Sequence, residues 1–249
     1  MITLKTRSQI EIMREAGRIS AGALEVARQM IRPGISTAKI NREIERFIRQ
    51  NGAKPSFLGY GGFPASACIS INEQVIHGIP GGRTLAEGDI VSIDVGAFYK
   101  GYHGDNAATF PVGGISPEKQ RLLDDTRECL RLALEQAVAG NRIGDISYAV
   151  QSYAESRGLG VVRAFVGHGI GSNMHESPEV PNFGEPGRGP RLQAGMTVAI
   201  EPMINLGTGD VRVLDDNWTV VTEDDMPSAH FEHTVAITKT GPPVILTVP

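Results

Sequence analysis

The stretch "GDIVSIDVGAFYKGYHGD", residues 88–105, sets Asp94 in the middle of an apolar run and Asp105 just past a turn signal at Lys100-Gly101. Burying an ionised carboxylate is costly unless it is paired, hydrogen-bonded or bound to a metal. A period of two puts Val91, Ile93 and Val95 on one face of a strand, and Ile90, Ser92 and Asp94 on the other. With Lys100-Gly101 as a two-residue hairpin turn, Asp94 falls opposite Ala107, and Asp105 becomes its diagonal neighbour on the same face. Diagonal neighbours lie about 7–8 Å apart, close enough for their side chains to converge. Two such carboxylates repel, and one takes up a proton unless a cation intervenes.

The pattern recurs downstream. "LAEGDIVSIDVG" (85–96) aligns with "LQAGMTVAIEPM" (192–203), which sets Asp94 on Glu201. "VIHGIP" aligns with "VGHGIG", setting His77 on His168, and "HGDNAATF" aligns with "HFEHTVAI", setting His103 on His230 and Asp105 on Glu232. Three matches in the same order argue for an internal duplication. Any one of these acids alone would read as a solvated strand residue or a salt-bridge partner; four at symmetric positions do not. If the halves join about a pseudo-twofold axis, Asp94, Asp105, Glu201 and Glu232 converge. One divalent ion leaves four anions half-neutralised, whereas a pair about 3.5–4 Å apart balances them and suits water activation. Oxygen ligands with one or two imidazoles favour Mn, Fe, Co or Zn over a soft, thiolate-seeking metal.

Four amphipathic helices are predicted around these strands: Ser8 to Ile31, Ser36 to Asn51, Ser116 to about Ala139 with Pro117 in its first turn, and Asp145 to about Ser156. Helix, helix, strands therefore occurs twice, in halves of about 1–115 and 116–249. No Pro/Gly/Ser-rich linker separates the halves, and the helices need a surface to pack on. The expected fold is a single α+β domain, 1–249, whose halves join their antiparallel strands into one curved sheet covered by helices.

Other classes are excluded by composition. Net charge is −4, with Lys and Arg scattered, so there is no electrostatic footprint for nucleic acid. No uncharged apolar run approaches the roughly 18 residues of a membrane span. The N-terminus lacks an apolar segment and a small-residue cleavage site, so a cytoplasmic protein is expected. Cys68 and Cys129 form no CxxC pair and read as reduced, buried thiols. "GIPGG" and "GHGIG" lack the GxxxxGK[ST] and GxGxxG contexts of nucleotide loops. In "GHGIGSNMHESPEVPNF", glycines flank His168 and let backbone approach closely, with His175 seven residues on. His77 takes its interest from symmetry with His168; His103, His230 and His233 stay undecided between structural and functional roles.

The motifs "SIDVGAFYKGYHGD", "GHGIGSNMHESP", "AIEPMIN", "NWTVVT", "SAHFEHTVAIT" and "CISINEQVIHGIP" together resemble the type I methionine aminopeptidases, over essentially the whole chain. The resemblance implies the duplicated pita-bread α+β fold and a metallo-aminopeptidase that removes N-terminal methionine ahead of a small second residue. It implies that Asp94, Asp105, His168, Glu201 and Glu232 ligate two divalent ions, with Asp105 and Glu232 bridging. It also corrects the symmetry: His77 would contact substrate rather than metal, His175 would polarise the scissile carbonyl, and Glu201 would shuttle protons. Tyr60, Phe63, Cys68, Met174 and Trp218 would hold the methionine side chain, and Asn72, Gln74 and Ser228 a monovalent cation, Na or K. Peptides beginning with methionine are the implied partners. Transient ribosome association is left open, without a basic or zinc-binding extension to point to it, and a monomer is expected. Bacterial members commonly carry "YHGYP" where this chain has "YGGFP", and an aromatic where it has Met174, which bears on pocket shape and substrate preference and leaves the ligand positions intact. The competing readings are an Xaa-Pro peptidase of the same fold, a two-metal phosphoesterase, and a scaffold that has lost its chemistry. The phosphoesterase would want basic residues beside the ligand positions, and none adjoins them in the motifs; the inert scaffold sits badly with five retained ligand positions.

Overall fold

The computed structural model describes residues 2–248; Met1 and Pro249, the ends of the expected domain, lie outside the described residues. The chain opens with α1 (Arg7–Met30) and α2 (Thr37–Gln50). Five strands follow: β1 (Lys54–Pro55), β2 (Cys68–Ile71), β3 (Gln74–Ile76), β4 (Ile90–Tyr99) and β5 (Tyr102–Pro111). A second helix pair, α3 (Pro117–Gln136) and α4 (Ile143–Ser156), leads into β6 (Gly160–Val161), β7 (Gly167–Gly169), β8 (Glu176–Val180), β9 (Thr197–Ile200) and β10 (Met203–Asn205). The chain closes with β11 (Val211–Val213), β12 (Val220–Thr222), β13 (Ser228–His230), β14 (His233–Ala236) and β15 (Val244–Ile245).

Helix boundaries follow local hydrogen bonding. Thr6 caps α1 in a reciprocal box with Gln9, so the helix begins at Arg7, one residue before the expected Ser8. Ser36 and Ser116 cap α2 and α3 as expected, with Pro117 in the first turn of α3. α3 stops at Gln136, short of Ala139, where the Asn141 amide donates to the Gln136 carbonyl at 3.0 Å. α4 begins at Ile143, before Asp145. The Asp145 carboxylate accepts the Arg142 N–H at 2.7 Å and the Gly187 N–H at 2.7 Å, closing the first turn from inside it.

The Lys100-Gly101 turn is real: both residues take left-handed backbone (φ 47° and 90°), and Tyr99 pairs with Tyr102. Asp94 lies opposite Ala107 and Asp105 opposite Gly96, as the alternation required. Val91, Ile93, Val95 and Ala97 pack beneath α1 and α2, against Ile19, Ala23, Ile40, Ile44 and Ile48. Each fully buried Ile here contributes about 1.5–3 kcal/mol. α1 crosses β5 so closely that a Cβ at Gly104 would lie 2.4 Å from the Gly17 nitrogen. In the second half, α3 and α4 cover Val198, Ile200 and Val235 through Leu122, Leu123, Leu130, Ile146 and Val150. A third cluster, of Met13, Phe57, Phe63, Cys68, Ile170, Met174 and Leu246, includes residues of the cavity wall described below.

Among the described residues the curved surface is assembled from four hydrogen-bonded sheets, of which the two largest carry β4-β5 and β9-β14. These meet along β5 and β14: the Glu232 N–H donates to the Ala107 carbonyl at 2.9 Å. The Thr234 hydroxyl accepts the Asp105 N–H at 3.0 Å and donates to the Asp105 carbonyl at 2.8 Å. The two equivalent strand pairs, β4-β5 and β9-β14, differ in register. Ile93 pairs with Ala108, while Ile200 pairs with His233, two residues from the aligned partner Val235. A shift of two preserves the face of every side chain, so the carboxylates still point inward together.

Candidate active site

The seam between the halves delivers Asp105 and Glu232 side by side. Asp105, His168 and Glu232 each present a donor atom within 4.8 Å of the others. His168 Nε2 lies 3.6 Å from Glu201 Oε1 and 4.0 Å from Asp105 Oδ2. Asp94 lines the same cavity, so all five residues expected to ligate metal are brought together. Asp105 is 4 % exposed and Glu232 2 %. Asp94 Oδ1, Asp105 Oδ1 and Glu232 Oε1 are buried with no hydrogen-bond partner, a costly state for three oxygens in one place.

Electrostatics say the same. Burial, partly offset by His230 and reinforced by Glu201, pushes the Asp94 carboxyl up to about 7. Burial takes Glu201 to about 8. Asp105 and Glu232 rise well above the carboxylate range, through burial first and their neighbouring acids second. The His168 ring is held in one tautomer. Its Nδ1 lies 2.8 Å from the Gly169 carbonyl, which can only accept, so Nδ1 carries the proton and Nε2 presents a lone pair to the carboxylates. Burial, then the nearby His175, pulls His168 down to about 4, keeping it neutral at pH 7. Lone pair against lone pair is repulsive, and a cation between them reverses the sign. Four carboxylates and one imidazole nitrogen with unfilled acceptor capacity fit first-row divalent ions.

The halves part company at the histidines. β7 pairs directly with β9, His168 opposite Ala199. In the first half it is β2 that pairs with β4, Cys68 opposite Asp94. The His77 segment lies one strand further out, where the Gly78 carbonyl accepts the Ile69 N–H. His77 therefore sits on the cavity wall, its ring edge-on to Phe165 at 5.7 Å and to Trp218 at 6.3 Å. Burial, with His230 and His175, takes it down to about 4.

Tyr60, Phe63, Cys68, Met174, His175 and Trp218 line the same cavity. Phe63 meets Trp218 edge to face, centroids 5.1 Å apart. The Tyr60 hydroxyl lies 2.7 Å from His175 Nδ1, and the His175 and His168 rings are 4.2 Å apart. Phe57 joins this wall; its sequence signal was only an aromatic three residues before Tyr60. His103 and His233 are taken up by hydroxyls, Ser56 Oγ at 2.9 Å and Thr247 Oγ1 at 2.8 Å. His230 instead faces Glu201 Oε2 at 3.5 Å.

Asn72, Gln74 and Ser228 also come together. The Ser228 N–H donates to the Asn72 carbonyl at 2.9 Å, and the Ser228 hydroxyl points to the Ile204 carbonyl at 3.4 Å. Gln74 Oε1 accepts the Ile71 N–H at 2.9 Å, and Asn72 Oδ1 accepts from the Ile90 N–H and the Lys119 ammonium, both at 3.0 Å. A wider depression around Gly144, Pro178, Phe183 and Arg188 holds none of the four central carboxylates and no histidine. Among the described residues, no helix is long and apolar enough to cross a membrane.

Comparison with known proteins agrees with this geometry. Residues 11–239 match the pattern of metallopeptidase family M24. Methionine aminopeptidase 1 of Bacillus subtilis is 53% identical over 241 residues, 97% of this chain and 97% of the relative. The crystal structure of methionine aminopeptidase from Thermotoga maritima superposes with a TM-score of 0.98 at 44% identity, over 100% of both chains. Prolidase from Pyrococcus furiosus shares the fold at a TM-score of 0.79 and 24% identity, but this chain spans only 65% of its length. With full-length identity on one side and fold alone on the other, the chain belongs to metallopeptidase family M24, among its methionine aminopeptidases.

Proposed function

We propose that this chain removes the N-terminal methionine from peptides and nascent proteins whose second residue is small, by hydrolysis at a pair of divalent ions. The observation that carries the reading is the buried carboxylate cluster, three of whose oxygens have no hydrogen-bond partner, with the bare Nε2 of His168 beside Glu201 Oε1 and Asp105 Oδ2. Asp94 would hold one ion, His168 and Glu201 the other, and Asp105 and Glu232 would bridge them. Such a pair supplies Lewis-acid polarisation of the scissile carbonyl and a water acidic enough to react at neutral pH.

The protein's own groups do the rest. Phe57, Phe63, Cys68, Met174 and Trp218 form a wall suited to a thioether, whose sulfur packs well on aromatic edges. His77 closes the wall beside Trp218. A hydroxyl proton donated by Tyr60 to Nδ1 of His175, 2.7 Å away, would leave the single ring proton of the neutral imidazole on Nε2. That N–H is the donor for the carbonyl oxygen as negative charge grows on it. Glu201, with one oxygen toward His168, would take a proton from the attacking water and pass it to the departing amine. The carbonyls around Asn72 and Gln74 and the Ser228 hydroxyl would take a monovalent cation.

The test is protein stripped of metal and reloaded in turn with Co, Mn, Fe or Zn, offered Met-Ala-Ser, Met-Lys-Ser and Xaa-Pro peptides. Methionine should be released from Met-Ala-Ser with Met-Lys-Ser spared. Cleavage confined to Xaa-Pro, or no cleavage with any metal, would overturn the reading.

A further inference from the structure

His230 is the buried imidazole to which the mechanism gives no task. It ends β13, opposite Met203 of β10, and is 1 % exposed. Its Nε2 has no hydrogen-bond partner. The nearest carboxylate oxygen is Glu201 Oε2, at 3.5 Å. The other oxygen of the same carboxylate, Oε1, faces His168 Nε2 at 3.6 Å. Glu201 thus stands between two imidazoles, one to each oxygen.

The two rings differ in what they offer. His168 spends its proton on the Gly169 carbonyl and shows Glu201 a lone pair, the arrangement for sharing an ion. A second bare nitrogen at His230 would set lone pairs against both oxygens of a buried anion. A proton on His230 Nε2 turns that repulsion into a charge-assisted hydrogen bond, which is roughly twice as strong as a neutral one. At 3.5 Å the contact is at the outer edge of hydrogen-bond range, and such contacts shorten when a site is loaded. We propose that His230 is a positioning residue: its Nε2–H secures Oε2 of Glu201, so that Oε1 is presented to the ion shared with His168. This rests on the metal-centre reading above and adds to it the group that orients Glu201.

The test uses full-length His230→Gln, which keeps an N–H donor, and His230→Leu, which has none. Divalent-ion binding to the stripped proteins is followed by calorimetry, and kcat and KM are measured on Met-Ala-Ser. His230→Gln should bind metal within about threefold of wild type and keep most of kcat. His230→Leu should bind the ion assigned to Glu201 and His168 about 10–100-fold less tightly, the scale set by other ligand-orienting partners, with kcat reduced and KM nearly unchanged. Nitrogen-15 spectra of metal-loaded wild-type protein should place the His230 proton on Nε2, a readout that survives any folding defect in the variants. A Leu variant that matches wild type, or a proton found on Nδ1, overturns the proposal. Loss of one bound ion in both variants would make His230 a ligand instead, which also overturns it. Wild-type protein that binds no divalent ion would overturn the metal centre itself, a distinct failure visible before any variant is made.

Discussion

The Tyr60 hydroxyl sits 2.7 Å from Nδ1 of His175. Tyr60 lies in a single 3-10 turn, Tyr60–Gly62, bounded by Gly59 in left-handed backbone, so the phenol reaches the histidine from a loop rather than from the sheet. Tyr60→Phe keeps the ring and removes the donor, freeing His175 to place its proton on either nitrogen. We expect kcat on Met-Ala-Ser to fall about tenfold, the equivalent of about 1.4 kcal/mol, with KM and thermal stability nearly unchanged. An unaltered kcat would show that the tautomer is set otherwise.

Asp94→Asn removes one charge from the crowded centre without changing its volume. Activity should drop more than about 100-fold because a ligand is lost. The stripped variant should melt no lower than stripped wild type, since burial already opposes the Asp94 charge. Full activity in this variant would remove Asp94 from the centre.

Lys5 and Glu176 form an ion pair at 2.5 Å, with side chains 4 % and 10 % exposed. The pair ties the segment ahead of α1 to the residue after His175, and the Lys5 N–H is bonded to the Gly195 carbonyl at 2.7 Å. Lys5→Met should cost about 1–3 kcal/mol, because the half-buried Glu176 carboxylate keeps only the Asn173 N–H and the Ser172 hydroxyl. Adding Glu176→Leu should cost less than the sum of the two single changes, as expected for directly interacting groups. Strict additivity in denaturant melts would mean that the pair carries no coupling.

The stripped protein should be sensitive to alkali. Asp94 and Glu201 titrate in the fold at about 7 and about 8, above their ordinary values. A raised carboxyl favours folding while protonated, so its contribution is complete below about pH 4 and is lost as pH climbs through 7 and 8. The melting temperature of metal-free protein should therefore fall between about pH 5 and pH 8.5, and divalent ions should restore it at the upper end. A flat profile would contradict the burial of these charges.

Much of the centre could be read from the sequence because it depends on short-range parity. The alternation around Asp94 and the Lys100-Gly101 turn fixed which face each acid occupies, and the repeat supplied Glu201 and Glu232. What parity cannot convey is which strand lies beside which. His77 and His168 look equivalent in sequence, yet β7 borders β9 directly, whereas β2 intervenes beside β4. The orientation of His230 toward Glu201 is likewise a product of three-dimensional packing between β10 and β13. Asp145 resembles a helix cap, but Gly187, distant in sequence, claims one of its oxygens.

The hydroxyl of Thr234 grips both the N–H and the carbonyl of Asp105 across the seam, so the strands that carry Asp105 and Glu232 cannot slide past one another without breaking both bonds. Asp94 and Asp105 come from one side of that seam and Glu201 and Glu232 from the other, so the cluster exists only while the two sides stay closed on each other.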